Sequence, residues 1–187
     1  KPLVITTHGR DVYVDPEAGA IVPKLWYVRP FLRFALRRAD RVISVSQDCR
    51  SHAIAAGASP GRIRVIYNGV DSKRFSPKKR NEYIRHLVGL SDSAKLILFV
   101  GSLRDYKGVD VLIRAMSFVS KSEPLAVAVI IGSGPQKEKL VTLRDRLGLQ
   151  KTVIFAGSVP NSELVLYENE CDAFVLPSRR ESFGIAA

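Results

Sequence analysis

Leu96-Ile97-Leu98-Phe99-Val100 runs straight into Gly101-Ser102-Leu103-Arg104-Asp105-Tyr106-Lys107-Gly108, after which Val109, Leu112, Ile113, Met116 and Val119 recur at helical spacing. An unbroken apolar run of this length predicts a strand buried on both faces. The later spacing lays a single apolar stripe along a helix. Strand, small-residue turn and helix in that order predict one arm of a parallel sheet. Further runs rich in Val, Ile and Leu predict strands at Leu3–Thr6, Arg41–Ser44, Arg64–Tyr67, Ala126–Ile131, Val153–Ala156 and Ala173–Leu176. The expected class is therefore α/β with parallel sheets.

Between Ser72 and Ser91 the apolar runs stop, and Lys73, Arg74, Pro77, Lys78, Lys79 and Arg80 crowd together ahead of a short amphipathic segment, Tyr83 to Leu90. This reads as a linker dividing the chain into lobes 1–75 and 76–187; a long basic surface loop inside one domain is the alternative. With 187 residues and 46% apolar content, two small Rossmann-like lobes can each hold a core.

Composition narrows the function. A net charge of +11 suits nucleic acid, an anionic membrane surface or phosphorylated small molecules. No zinc-finger spacing or aromatic RNA-binding signature accompanies it, so nucleic acid is set aside. Cys49 and Cys171 form no paired framework, and no run approaches the roughly 20 apolar residues that span a bilayer. With no basic-then-apolar leader at Lys1-Pro2-Leu3, a cytoplasmic setting is expected. His8, His52 and His86 lie far apart with no partner at ligand spacing, and no metal is expected.

In open parallel sheets ligands bind beyond the carboxyl ends of the strands, so the loops there are the informative ones. Gly101 to Gly108 offers backbone and two cations, Arg104 and Lys107, to a phosphate, although a strand-to-helix turn with solvated cations has the same look. Gly132-Ser133-Gly134-Pro135 is no dinucleotide fingerprint, since G-x-G-x-x-G is missing. Leu176-Pro177-Ser178-Arg179-Arg180-Glu181-Ser182-Phe183-Gly184 follows a strand and leads into what reads as the first turn of a helix at Ile185, where backbone N–H groups would suit an anion. Glu181 beside it either caps that helix or meets a hydroxyl-rich ligand. His8 after the first strand can bond a hydroxyl or move a proton, or be structural. Glu168, Glu170 and Asp172 precede their strand and read as a solvated helix end on the opposite sheet edge.

Taken in order, these pieces resemble the family 4 glycosyltransferases of the GT-B fold, and the resemblance covers nearly the whole chain. It rests on Thr7-His8-Gly9-Arg10-Asp11; Ala39-Asp40-Arg41-Val42-Ile43-Ser44-Val45-Ser46; Ile66-Tyr67-Asn68-Gly69-Val70-Asp71 with Phe75; Val100-Gly101-Ser102-Leu103 through Lys107-Gly108; Ile131-Gly132-Ser133-Gly134-Pro135; Phe155-Ala156-Gly157-Ser158-Val159; and Asp172 to Ser178 with Glu181-Ser182-Phe183-Gly184. The resemblance implies a retaining, metal-independent transferase without a cofactor, its donor a nucleoside diphosphate sugar, expected to be a UDP-sugar, and its acceptor a glycan, a lipid-linked molecule or a small molecule. It implies catalytic roles for His8 and Glu181, diphosphate binding by Lys107, and donor contacts from Gly101, Ser102, Gly132, Val159, Ser182, Phe183 and Gly184. Family members often carry Arg where this chain has Ser102, so Arg104 is expected to substitute for that contact. The chain is expected to be truncated at both ends: the E-x7-E pattern begun at Glu181 needs a Glu two positions past Ala187, and this piece alone is expected to bind weakly and catalyse nothing. A non-catalytic GT-B binding module and a glycogen- or starch-synthase-like enzyme are the alternatives.

Arg29, Arg33 and Arg37 recur at i, i+4 among Phe31, Leu32, Phe34 and Leu36, predicting a basic stripe on an amphipathic helix. A solvated face is the plainer expectation from it, and contact with an anionic membrane or a lipid-linked acceptor the functional alternative.

Overall fold

The computed structural model describes residues 1–9, 11–12, 26–80 and 83–184. The chain forms two compact units, Lys1–Gly69 with Arg180–Ile185, and Val70–Arg179 with Ala186–Ala187. These units and the expected lobes differ at residues 70–75 and 180–185.

In the first unit β1 (Val4–Thr7), β2 (Arg41–Ser44) and β3 (Ile63–Val65) pair in parallel in that order. Helix α1 (Arg29–Arg38) precedes β2 and α2 (Gln47–Ala56) follows it. The Ser46 hydroxyl caps α2 by accepting from the Cys49 amide at 3.1 Å, and left-handed Gly57 ends the helix. Leu36, Ala39, Val42, Val45, Cys49, Ala53 and Ile63 fill the core. Buried Thr7 shares its hydroxyl with Ser44 at 3.0 Å and lies 3.2 Å from the Cys49 sulfur, which ties β1, β2 and α2 together. Burial pushes the Cys49 thiol up, against the pull of its hydrogen bond to Thr7, as suits a structural cysteine.

The apolar residues of α1 do not share one face. Leu36 is buried and Leu32 packs on the core, whereas Phe31 and Phe34 are 74% and 66% exposed.

In the second unit β4 (Lys95–Val100), β5 (Ala126–Ile131), β6 (Val153–Gly157) and β7 (Ala173–Phe174) form a parallel sheet in the order β6-β5-β4-β7. Every residue of the inner strand β5 is buried, which explains its lack of alternation. Alternate residues feed two cores. Phe99, Ala128 and Ile130 meet Ile113 and Met116 of α4 (Val109–Ser122) and Leu140 of α5 (Lys137–Arg146). Leu96, Leu98, Val127 and Val129 meet Ile84 of α3 (Tyr83–Leu87) and Tyr167 of α6 (Asn161–Glu170) on the other face.

The basic segment expected as a linker lies against this unit. Arg74 donates to the Asn161 carbonyl, and Arg80 pairs with Asp172 at 3.0 Å. The acidic group expected to be solvated does sit at the amino edge of the sheet, with Asp172 exposed and Glu168 half-buried, but Glu170 is not solvated. Glu170 is 1% exposed and paired with the buried Arg85 at 3.3 Å, while Asp172 accepts from Arg85, Arg80 and the Leu96 amide. Desolvation pushes the Asp172 carboxyl up, but those hydrogen bonds outweigh it and hold the group below the usual range. Burial raises Glu168. The cause is physical: Arg85, in the short amphipathic segment that follows the basic run, is itself buried and supplies the counter-ion.

Candidate functional site

At the carboxyl ends of β4, β5 and β6 the chain turns through Gly101, Gly132 and Gly157. Their backbones interlock: the Gly101 amide donates to the Ile131 carbonyl at 3.0 Å and the Gly132 amide to the Gly157 carbonyl at 2.7 Å. Gly132 takes φ +138°, and a Cβ there would lie 1.9 Å from the Gly101 carbonyl oxygen, so only glycine brings these loops together. Leu103 anchors the next layer, its amide donating to Ser133 and its carbonyl accepting from the Gln136 amide.

Above this floor opens a cleft of about 340 Å³, lined by Val100, Gly101, Ser102, Ile131, Gly132, Ser133, Ser158, Val159, Asn161 and Leu164. Its size lies at the lower end of small-ligand sites. The apolar walls of Ile131, Val159 and Leu164, with hydroxyls and an amide beside them, suit a flat organic body with a polar edge, such as a nucleoside.

Of the residues expected from sequence, the structure brings Gly101, Ser102, Gly132 and Val159 into this one cleft. Ser133 and Ser158 lay within the quoted motifs. Asn161 and Leu164 were missed; their only signal was position in the first turn of the helix after β6. Arg104 is not in the cleft. It is exposed and lines a separate groove of about 240 Å³ with Arg114, Gln136 and Lys139. Lys107 closes a 3-10 turn, Asp105–Lys107, half-buried with its ammonium 5.8 Å from the Tyr106 ring centroid.

The remaining expected residues belong to the first unit. His8 is exposed directly after β1, its amide donating to both carboxylate oxygens of Asp11 at 3.1 and 3.2 Å. Glu181, Ser182, Phe183 and Gly184 are half-buried, and Gly184 is left-handed at φ +77°. Phe183, placed by sequence in the second lobe, packs on the first unit's core and meets Tyr67 at 6.0 Å between ring centroids. The helix expected from Ile185 lies outside the described residues. Among the described residues no group of His, Cys, Asp and Glu is placed to hold a metal ion, and no helix is long and apolar enough to cross a membrane.

Residues 81–187 match the family described as glycosyl transferases group 1, and residues 1–74 match glycosyltransferase family 4. Over 159 residues the chain is 37% identical to D-inositol 3-phosphate glycosyltransferase of Thermobifida fusca, covering 80% of this chain and 36% of that protein. It is 30% identical to a GDP-mannose-dependent alpha-(1-6)-phosphatidylinositol monomannoside mannosyltransferase of Mycolicibacterium smegmatis, covering 98% and 46%. Among solved structures it resembles Anabaena HepE bound to UDP and glucose, with TM-score 0.83 and 25% identity over 100% of this chain and 49% of that one. Sucrose-phosphate synthase of Thermosynechococcus elongatus shares the fold, with TM-score 0.77 and 24% identity over 98% and 46%. The chain thus spans half or less of the length of these proteins.

Proposed function

From the premise that this chain belongs to the family 4 glycosyltransferases of the group 1 type, with their GT-B fold, we propose that the protein moves a sugar from a nucleoside diphosphate donor to an acceptor. The observation carrying this reading is the cleft at the carboxyl ends of β4 to β6, where four residues expected at the donor line one wall-and-floor arrangement fit for a nucleoside. The HepE structures with UDP and UDP-glucose support a UDP-sugar as donor. The GDP-mannose-dependent relative makes the guanine nucleotide the alternative to test, and the inositol phosphate and phosphatidylinositol relatives point to a phosphorylated or lipid-linked polyol as acceptor.

In this proposal the diphosphate lies by the turn carrying Lys107, Glu181 meets hydroxyls of the transferred sugar, His8 takes part in the transfer, and the backbone of Ser182, Phe183 and Gly184 contributes to donor binding. Arg104, in its separate groove, contributes little. Transfer proceeds with retention and without a metal or cofactor, the charge on the leaving diphosphate being met by Lys107 and backbone amides. The reaction takes place in the cytoplasm, with α1 resting on an anionic membrane face.

A panel of UDP-, GDP- and ADP-sugars, scored by thermal shift and then by turnover of the complete protein, tests the reading. Stabilisation and turnover with one donor, undiminished by a chelator, support it. Lys107→Ala is expected to cost about 1.5–3 kcal/mol of transition-state stabilisation, the worth of a hydrogen bond to a charged group. Binding of a donor without any turnover would favour the binding-module alternative, and no binding of any donor would refute the assignment.

A further inference from the structure

Because β7 pairs with β4, the loops leaving their carboxyl ends run side by side, one carrying Lys107 and the other leading to Glu181. They are joined by more than proximity. The Arg179 amide donates to the Tyr106 carbonyl at 2.8 Å, and its guanidinium reaches the Asp105 carbonyl at 2.6 Å and both oxygens of Asp110 at 2.9 and 2.7 Å. Asp110 lies in the first turn of the 14-residue helix α4, where a carboxylate is favoured by the helix dipole. Gly108, at φ +67°, passes so close beneath the other loop that a Cβ would sit 2.0 Å from the Pro177 carbonyl oxygen.

A forked guanidinium held by both oxygens of one carboxylate fixes orientation as well as distance, which an ammonium cannot do. With those nitrogens committed to Asp110 and the Asp105 carbonyl, Arg179 is a poor candidate for direct contact with a donor phosphate.

We propose that Arg179 is a positioning residue which, through Asp110 and the 3-10 turn, sets the segment leading into Glu181 against the loop that carries Lys107. This rests on the donor-site reading above, in which those two residues address the sugar and the diphosphate. Geometry of that kind matters because displacement of a reacting group by about 1 Å can cost about a hundredfold in rate.

The test uses the complete protein with Arg179→Ala, Arg179→Lys, Asp110→Asn and the combination Arg179→Ala/Asp110→Asn. Nucleotide affinity by calorimetry, kcat and KM by turnover, and hydrogen exchange of the peptide containing residues 176–181 are measured for each. Arg179→Ala and Asp110→Asn are expected to lower kcat by about tenfold to a hundredfold while nucleotide Kd moves less than about threefold. Arg179→Lys should recover only part of the rate, and the combined variant should be no worse than the worse single one. Exchange in the peptide should speed by about tenfold in every variant.

Weakened nucleotide binding with unchanged kcat would overturn the proposal by making Arg179 a donor ligand. Unchanged exchange, or effects that simply add, would overturn it as well. A wild-type protein that turns over no nucleotide sugar refutes the donor-site reading instead, and the exchange result still decides whether Arg179 holds the loop.

Discussion

Arg85 and Glu170 face each other with Nε 3.3 Å from Oε2, at 4% and 1% exposure, at the amino edge of the second sheet. The same guanidinium also donates to the carbonyls of Ala94 and Glu170 and to Asp172, so α3, the start of β4 and the end of α6 are tied by one side chain. Removing one member strands a buried charge. Arg85→Ala is expected to destabilise by about 3–5 kcal/mol, whereas the paired replacement Arg85→Met/Glu170→Met should cost far less, since buried ion pairs are often near neutral against apolar pairs of similar size. Urea denaturation of both variants checks this. Equal losses would mean that the pair itself, rather than its completeness, supports the fold.

Gly108 and Gly148 give a second comparison. Their φ angles are nearly equal, +67° and +69°, but an added Cβ at Gly108 meets the Pro177 carbonyl while at Gly148 it meets nothing within 4 Å. Gly148→Ala should therefore show only the left-handed strain, about 1–2 kcal/mol. Gly108→Ala carries the same strain and must also push the 177–179 segment away. Melting temperatures should rank the two, and only Gly108→Ala should raise hydrogen exchange in the 176–181 peptide.

The second sheet was legible in the sequence because its inner strands, β4 and β5, are buried on two faces and cannot hide their apolar runs; the shorter, more exposed strands of the first sheet were legible from their Val and Ile content. Ala126–Ile131 matched residue for residue, and α4 buried Val109, Leu112, Ile113 and Met116 as its spacing requires. The glycine loops were legible as well, since close backbone approach leaves few residue types open at Gly132 and Gly134. What stayed hidden depends on partners far apart in sequence. Nothing local marks Arg85 as buried, Phe183 as packed on the first unit, or Arg104 as turned toward the α4–α5 groove. Periodicity on α1 reported the stripe of exposed Arg29, Arg33 and Arg37 but not that Leu32 and Leu36 meet the core while Phe31 and Phe34 stay exposed.

The Arg179–Asp110 contact carries a pH dependence with a definite sign. The hydrogen bond from Arg179, opposed by desolvation, holds the Asp110 carboxyl below its ordinary value of 3.8. A folded-state pKa below the unfolded one means that the contribution is fully present above the unfolded value and is lost as pH falls through the folded one. Asp110→Asn should thus lower the melting temperature at neutral pH, with the gap to wild type closing only below about pH 4. Because both side chains are partly exposed, the gap should also shrink in high salt. A gap that closes instead between neutral pH and pH 5 would assign the effect to another group.

The exposed face of α1 supplies the last expectation. Phe31 and Phe34 stand in solvent on a helix that carries Arg29, Arg33, Arg37 and Arg38 and no acidic residue. Aromatic rings with cations beside them suit the interface of an anionic bilayer, where each cation adds about 1 kcal/mol near the surface. The stem of Arg33 crowds Gly57, since a Cβ there would lie 2.6 Å from Arg33 Cγ, so reversing its charge would also disturb packing between α1 and α2. Arg29 and Arg37 are therefore the cleaner sites. In sedimentation with vesicles, Arg29→Glu/Arg37→Glu is expected to abolish the preference for anionic over neutral lipid, and Phe31→Ser/Phe34→Ser to weaken binding to anionic vesicles while leaving its salt dependence intact. Binding that ignores lipid charge and both pairs of substitutions would show that this face serves some other contact.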